Sequence, residues 1–215
     1  MNSGHLKIDK TWSLFLDRDG VINKRIVGGY VCSWDQFEFL PGVLDAFKIL
    51  AGNFNRIFVV SNQQGVGKGL MTDNEVSALH SQMLEEIVKA KGNITKTYYC
   101  PAIDKDNSIM RKPNIGMALK ARKEFPGINF KQSIMVGDSI SDMIFGKRLK
   151  MKTVLLSNDI ALIRKGADVI DFVFDDLLSF TKYLINPLTH QLISSSVHQL
   201  INSPPSPIPL NFPAK

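Results

Sequence analysis

Two kinds of segment alternate along residues 12–185: short runs of β-branched and aromatic residues, and longer stretches in which apolar residues recur every three or four positions. The short runs predict six strands, at residues 13–17, 57–61, 97–100, 133–137, 153–156 and 169–174. The longer stretches predict helices at residues 43–50, 115–124 and 141–149, and one more between Thr72 and Gly92. In that helix Thr72 and Glu75 form a capping-box pattern, and the apolar stripe comprises Val76, Leu79, Met83, Leu84, Ile87 and Val88.

This alternation of strands with helices predicts an α/β fold, in which a mostly parallel, Rossmann-like sheet is covered by helices on both faces. Such a three-layer arrangement brings the carboxyl ends of the strands to one edge of the sheet, where ligands bind. Polar residues at strand ends are therefore the first candidates for function.

The last 30 residues differ in composition from the rest of the chain. Residues 186–215 hold six of the ten prolines, five Ser and two Gln residues, and one charged residue, Lys215. The proline-rich run from Pro204 to Pro209 favours extended backbone over helix or sheet. We therefore expect one domain, residues 1–185, followed by a poorly ordered tail; a docking peptide for a partner is the alternative for this tail.

Composition and charge narrow the class of protein. With 215 residues, 44% hydrophobic and 21% charged, the chain has the length of one domain and the make-up of a packed globular protein, which excludes a fully disordered chain. Its two cysteines, Cys32 and Cys100, are too few for a disulfide framework, and neither a leader nor a membrane span is recognisable, so we expect a cytoplasmic location. The net charge of +6 suggests an anionic ligand or partner.

Acidic residues follow two of the predicted strands. Asp17 and Asp19 end the first strand ahead of Gly20, and Asp138 and Asp142 follow the fourth. Each pair has a structural alternative, because Asp-Gly is a common turn and because a carboxylate in the first turn of a helix is favourable by itself. Two acid clusters at strand ends of one parallel sheet nevertheless converge, and oxygen ligands without His or Cys point to Mg²⁺.

Two further strand-end features complete a candidate phosphate site. The second strand ends at Ser61 and is followed by Asn62, Gln63 and Gln64, whose side chains can donate hydrogen bonds to phosphate oxygens. The glycine-rich stretch that follows lacks the first Gly and the Ser or Thr of a P-loop, so we reject that motif. Lys112 precedes Pro113 just before a predicted helix. Acids, a hydroxyl and a lysine at one rim indicate phosphoryl transfer.

These pieces, in this order, resemble the haloacid dehalogenase superfamily of phosphatases. The motifs are Asp17-x-Asp19-Gly20, Ser61, Lys112 and Gly137-Asp138 with Asp142. Within it, the chain is similar to the branch of the heptose 1,7-bisphosphate and histidinol-phosphate phosphatases, over about residues 12–180. The stretches that carry this similarity are Phe15–Asn23, Gly29–Val31, Phe37–Phe39, Pro41–Val43, Ser61–Val66, Gly69, Tyr98–Pro101, Arg111–Pro113 and Met135–Asp138.

The resemblance implies a role for each matching residue. Asp17 is the expected nucleophile, which forms an aspartyl-phosphate, and Asp19 is the expected general acid and base. Ser61 and Lys112 are expected to hold the transferring phosphoryl group. Asp17, the Asp19 backbone carbonyl and Asp138 are expected to bind Mg²⁺, and Asp142 to contact these ligands or a water bound to the metal. The expected substrate contacts are Gly29, Tyr30, Asn62, Gln63, Gln64, Arg111 and Ser139.

The chain departs from this branch in three ways. Relatives commonly carry a zinc loop before the Arg-Lys-Pro, but here only Cys100 of the four ligands is present, so we expect no zinc. Ser139 stands where heptose phosphatases usually carry a Lys, which removes a charge near the distal part of the substrate. The segment from Arg18 to Leu40 is too short for a cap domain, so we expect an open, capless site.

The sequence therefore predicts a monomeric, Mg²⁺-dependent phosphatase of a small sugar phosphate, with heptose 1,7-bisphosphate as the first candidate. Histidinol phosphate is a second candidate substrate. A polynucleotide 3'-phosphatase uses the same motifs, but the positive residues form no stripe interleaved with aromatics, so we do not expect nucleic acid as a partner. A catalytically silent binding or scaffold protein is the alternative of another class, and the intact motifs argue against it.

Overall fold

The computed structural model describes residues 6–186 and contains one parallel sheet with helices on both faces. Its strands are β1 (Ser13–Leu16), β2 (Arg56–Asn62), β3 (Lys96–Cys100), β4 (Ser133–Gly137), β5 (Lys152–Leu156) and β6 (Phe172–Phe174). They lie in the order β3-β2-β1-β4-β5-β6. The helices are α1 (Val43–Asn53), α2 (Gln64–Gly67), α3 (Asp73–Lys89), α4 (Gly116–Glu124), α5 (Ile140–Arg148), α6 (Ile160–Lys165) and α7 (Leu177–Ile185); 3-10 turns lie at Trp34–Gln36, Asp104–Asp106 and Phe130–Gln132. The predicted α/β class is confirmed.

Successive residues of each central strand enter different cores, because side chains alternate between the two faces of a sheet. Leu14 and Leu16 of β1 pack with α1, α3 and α7, whereas Phe15 packs on the opposite face with α4 and α5. A smaller cluster holds α6 against β5 and α5. Each fully buried side chain of this kind contributes roughly 1.5–3 kcal/mol to folding, so both faces stabilise the strands that carry the polar ends.

The predicted elements are present, with differences at their ends. The first strand ends at Leu16 and the sixth covers only Phe172–Phe174. Sequence analysis missed α2 and α6, which are short, and also α7, although its buried residues Leu177, Phe180 and Leu184 recur at helical spacing. Placing Val88 on the α3 stripe was wrong: its side chain is 63% exposed, because one residue beyond the buried Ile87 the helix has turned by about 100°.

The start of α3 confirms the predicted capping box. The Thr72 backbone N–H donates to Glu75 Oε2 at 2.7 Å, and the Glu75 backbone N–H donates to Thr72 Oγ1 at 3.2 Å. These two bonds satisfy amides that the first turn of a helix leaves without partners.

The segment between β1 and α1 holds one short 3-10 turn and no separate domain, as the capless expectation requires. The predicted tail lies outside the described residues, apart from Asn186, and its order and the boundary at residue 185 stay predictions. In residues 6–186, none of the helices combines the length and apolar character needed to span a bilayer.

Candidate active site

The candidate site lies where β1 and β4 end side by side. Leu16 is in register with Val136, and the Asp17 backbone N–H extends this pairing by donating to the Val136 carbonyl at 2.9 Å. Asp17 and Asp138 therefore leave the sheet next to each other. Asp17, Asp138 and Asp142 each offer a carboxylate oxygen, and these three oxygens lie within 4.8 Å of one another. The predicted convergence of the two acid clusters is thus present.

Lys112 reaches this cluster from the loop before α4. Its Nζ lies 2.9 Å from Asp17 Oδ1 and 2.6 Å from Asp142 Oδ1. The Lys112 side chain is 1% exposed and that of Asp142 is fully buried. One buried cation therefore faces three carboxylates, and this leaves the cluster with an excess of negative charge.

The surroundings shift the pKa values of these groups. Burial raises the pKa of Asp17 to about 7, because the repulsion from Asp142 and Asp138 adds to it and Lys112 offsets only part. Burial also raises the pKa of Asp138 to about 6, helped by Asp142 and opposed by Arg25 and Lys112. For Lys112, burial would lower the pKa, but Asp142 and Asp17 outweigh it and raise the value above the ordinary one, so the ammonium stays charged.

Two glycines make this close approach possible. A Cβ on Gly20 would overlap the Asp138 carboxylate, and a Cβ on Gly137 would overlap the side chain of Asp142. Gly20 also has a φ of +84°, in the left-handed region that favours glycine. Any larger residue at either position displaces an acid of the cluster.

The cluster fits a hard divalent cation. Its ligands are all carboxylate oxygens, the donor type that Mg²⁺ prefers. Asp138 Oδ1 is buried and accepts no hydrogen bond from the described part of the chain, which leaves it available to a ligand. The expectation that the protein holds no zinc stays a prediction.

Asp19 lies beside this cluster in a different environment. Arg18 donates to both of its carboxylate oxygens, at 2.9 and 3.0 Å, Asn23 Nδ2 donates to Oδ1 at 2.9 Å, and Gln63 Nε2 donates to Oδ2 at 2.8 Å. Burial alone would raise the pKa of Asp19, but Arg18, Asn23 and Gln63 outweigh it and hold the pKa below its ordinary value. Asp17 and Asp19 are therefore shifted in opposite directions.

The residues after β2 brace this arrangement. Gln63 Nε2 also donates to Ser61 Oγ at 2.8 Å, so Gln63 links Ser61 to Asp19. The Asn62 side chain contacts the backbone of Lys112 twice: its Oδ1 accepts from the Lys112 N–H at 2.9 Å, and its Nδ2 donates to the Lys112 carbonyl at 3.0 Å. The contacts seen here position catalytic candidates. Contact of Asn62 and Gln63 with substrate stays a prediction.

The other predicted substrate contacts lie at the rim. Ser139 Oγ donates to Asp142 Oδ2 at 2.5 Å. Arg111 lies 3.3 Å from Asp104 Oδ1 and donates to the Ala102 carbonyl at 3.2 Å. Tyr30 Oη accepts from Lys68 at 2.8 Å. Gly29 is exposed and Gln64 begins α2. Contact of these five residues with substrate stays a prediction.

Sequence analysis missed four residues of the site. Arg18 and Asn23 bind Asp19, His80 of α3 contacts Arg18, and the exposed Arg25 lies 3.1 Å from Asp138 Oδ2. Arg18 had a signal in the sequence, because an arginine between two functional aspartates has acids within reach. His80 had none, since it is 62 positions away along the chain.

Comparisons with known proteins agree with this geometry. The family model for polynucleotide kinase 3 phosphatase matches residues 16–183. The D-glycero-alpha-D-manno-heptose-1,7-bisphosphate 7-phosphatase of Mycobacterium bovis is 42% identical over 132 residues, which are 61% of this chain and 70% of the relative. The D-glycero-beta-D-manno-heptose-1,7-bisphosphate 7-phosphatase of Haemophilus influenzae is 33% identical over 179 residues, which are 80% of this chain and 96% of the relative.

A solved structure shows the same fold. D,D-heptose 1,7-bisphosphate phosphatase from B. bronchiseptica, complexed with magnesium and phosphate, matches with a TM-score of 0.74 and 24% identity, over 82% of this chain and 99% of that one. The family model spans the sheet from the end of β1 to α7 and includes every acid of the cluster. The chain therefore belongs to the polynucleotide kinase 3 phosphatase family of the haloacid dehalogenase superfamily, and it is a phosphatase that hydrolyses phosphoric monoesters.

Proposed function

We propose that the protein is a Mg²⁺-dependent phosphatase of a small phosphorylated sugar, with heptose 1,7-bisphosphate as its substrate. The observation that carries this proposal is the buried Asp17 carboxylate, 2.9 Å from Lys112 Nζ and within the acid cluster. The names of the two relatives support the choice of sugar, and they differ in the anomer.

Asp17 is the nucleophile in the proposed mechanism. One of its carboxylate oxygens forms a bond to phosphorus while the bond from phosphorus to the sugar oxygen breaks. Asp19 is ionised in the substrate-free site, because its pKa lies below the ordinary value. In this mechanism it takes a proton from the monoanion of the bound phosphate ester and gives it to the leaving oxygen. Water then attacks the phosphorus of the aspartyl-phosphate and passes a proton to Asp19. The bond from phosphorus to Asp17 breaks, and inorganic phosphate leaves.

Charge placement supplies the rest of the catalysis. Lys112 and Ser61 hold the transferring phosphoryl group, and Asn62 keeps the Lys112 backbone in place. Asp17, Asp138 and the Asp19 backbone carbonyl would hold Mg²⁺, which when bound neutralises charge on the phosphoryl oxygens. Hydrolysis of phosphate monoesters is among the slowest uncatalysed reactions, so the site must lower its barrier by on the order of 20 kcal/mol.

The rim residues contact the remainder of the substrate in this proposal, namely Gly29, Tyr30, Gln64, Arg111 and Ser139. We also propose that the protein acts as a monomer in the cytoplasm. Its cysteines support a reducing compartment, since both Cys32 and Cys100 are free thiols.

A substrate panel tests the proposal. The kcat/KM of the full chain with Mg²⁺ is measured on both anomers of heptose 1,7-bisphosphate, histidinol phosphate and fructose 1,6-bisphosphate. We expect the highest value for a heptose anomer, and a loss of about 10³-fold or more in Asp17→Asn. Asp45→Asn is the matched control, because Asp45 is an exposed carboxylate on α1, and it retains wild-type activity. A preference for another substrate of the panel would contradict the heptose assignment.

The family description and the net charge of +6 favour a second candidate, a polynucleotide 3'-phosphatase. A 3'-phosphorylated oligonucleotide belongs in the same panel for this reason. If it were hydrolysed faster than every sugar phosphate, with a steep dependence on salt, this second candidate would replace the first.

A further inference from the structure

Arg18, the residue between the two aspartates of the motif, is the largest fully buried side chain described in the protein. A buried guanidinium needs partners for its five N–H donors, because leaving a charge unpaired in the interior is costly. Its Nη2 donates to both oxygens of Asp19 and its Nε lies 3.2 Å from Oδ1. Arg18 therefore binds the carboxylate of Asp19 through two nitrogens, Nε and Nη2.

The far side of Arg18 meets a histidine. Nη1 of Arg18 lies 3.4 Å from Nε2 of His80, a buried residue of α3. Burial lowers the pKa of His80 to about 3, and the neighbouring Arg18 adds to this, so the imidazole is neutral. Because a guanidinium only donates, Nε2 is the acceptor and the proton is on Nδ1. The rings of His80 and Tyr99 pack in a T-shaped arrangement, with their centroids 5.8 Å apart.

We propose that Arg18 and His80 are positioning residues for Asp19: His80 holds the guanidinium by accepting from Nη1, and the guanidinium fixes the orientation in which the Asp19 carboxylate meets the leaving oxygen. The inference rests on the proposed function, in which Asp19 protonates that oxygen. Asp19 is 22% exposed whereas Arg18 is fully buried, so the arginine is the fixed part of the pair.

Two substrates whose leaving groups differ in basicity distinguish a positioning role of Arg18 and His80 from a general structural role. A sugar alkoxide needs the proton of Asp19 to leave, whereas p-nitrophenolate is a weak base that leaves without it. The kcat/KM covers only the steps up to the aspartyl-phosphate, so the later role of Asp19 in hydrolysing the intermediate does not enter the ratio. A misplaced Asp19 therefore lowers kcat/KM for the sugar phosphate and spares p-nitrophenyl phosphate.

The test measures kcat/KM on both substrates, with Mg²⁺, for His80→Phe, His80→Gln, Arg18→Lys and Asp19→Asn. His80→Phe removes the acceptor but keeps a ring beside Tyr99, and we expect it to lose about 10²-fold on the sugar phosphate with little change on p-nitrophenyl phosphate. Arg18→Lys and Asp19→Asn follow the same pattern. His80→Gln offers Arg18 an amide oxygen and restores much of the loss. Ser81→Ala, on the exposed side of the same helix, is the matched control.

The outcomes distinguish the inference from the proposed function. If the wild type hydrolyses both substrates and His80→Phe loses equally on both, or on neither, the positioning role is wrong while the phosphatase proposal stands. If the wild type hydrolyses neither substrate, the proposed function fails and the inference fails with it. Urea unfolding of each variant, compared with Ser81→Ala, identifies any loss that comes from an unfolded fraction.

Discussion

Replacing Lys112 by Met removes the buried cation that pairs with both Asp17 and Asp142 and keeps most of the side-chain volume. Breaking a buried ion pair by deleting one partner costs about 3–5 kcal/mol, because the remaining charge is left without compensation. We expect a loss of this size in the free energy of unfolding of Lys112→Met at pH 8. Catalysis falls as well, since Lys112 is the proposed phosphoryl contact.

The loss in the free energy of unfolding depends on pH, and the direction of this dependence follows from the pKa of Asp17. Its pKa is already raised to about 7, from an ordinary value of 3.8, and removing Lys112 raises it further. The folded variant therefore keeps a proton on Asp17 that the unfolded chain has released, so stability is retained at low pH and lost as pH rises through the folded-state pKa. The deficit relative to wild type is expected to be larger at pH 8 than at pH 5.

Urea unfolding at the two pH values measures the effect. Lys24→Met is the matched control: Lys24 pairs with Glu38 at 3.3 Å with both side chains exposed, and its loss costs less than about 1 kcal/mol. Adding Asp142→Asn to Lys112→Met removes one uncompensated carboxylate and restores part of the stability. An equal deficit at pH 5 and pH 8, or one as small as that of Lys24→Met, would refute the charge argument.

Two further predictions concern the acid cluster. Mg²⁺ is expected to raise the melting temperature more at pH 8 than at pH 5.5. At the lower pH, protons occupy Asp17 and Asp138, whose pKa values are about 7 and 6, and they compete with the metal. Scanning fluorimetry measures this effect, and an equal rise in melting temperature at both pH values would contradict it. Gly20→Ala is expected to lose the stabilisation by Mg²⁺ and the activity, because its Cβ would overlap Asp138. Gly28→Ala is the control and retains both: Gly28 has a similar φ of +72°, but a Cβ there meets nothing within 4 Å. Equal effects of the two substitutions would mean that backbone strain alone is responsible.

The fold was predictable because strands and helices differ in the spacing of their apolar residues. The alternation of Leu14, Phe15 and Leu16 between two cores is the pattern of a buried parallel strand. The missed α7 was predictable in the same way. Its buried residues Leu177, Phe180 and Leu184 recur at helical spacing. Asp176 caps its first turn by accepting a hydrogen bond from the Ser179 N–H at 2.7 Å.

The acids of the site were predictable for a topological reason. The ends of adjacent parallel strands meet at one edge, so Asp17 and Asp138 were brought together by strand order alone. The support around them was not predictable in this way. Asn62 uses its amide on the Lys112 backbone, 50 positions away, and His80 reaches Arg18 from a helix on the sheet. Such contacts depend on side-chain orientation in the folded protein, which periodicity does not encode.

The net charge of the chain and the charge of the site have opposite signs. The protein carries +6 overall, yet its centre sets two cations, the buried Lys112 and the exposed Arg25, against three carboxylates. A phosphate dianion entering that centre would be repelled unless a divalent cation balanced the excess, because the low dielectric of a buried site strengthens each of these interactions. The surface charge can raise the local concentration of an anionic substrate, whereas the buried cluster offers the carboxylate oxygens that could hold a divalent cation.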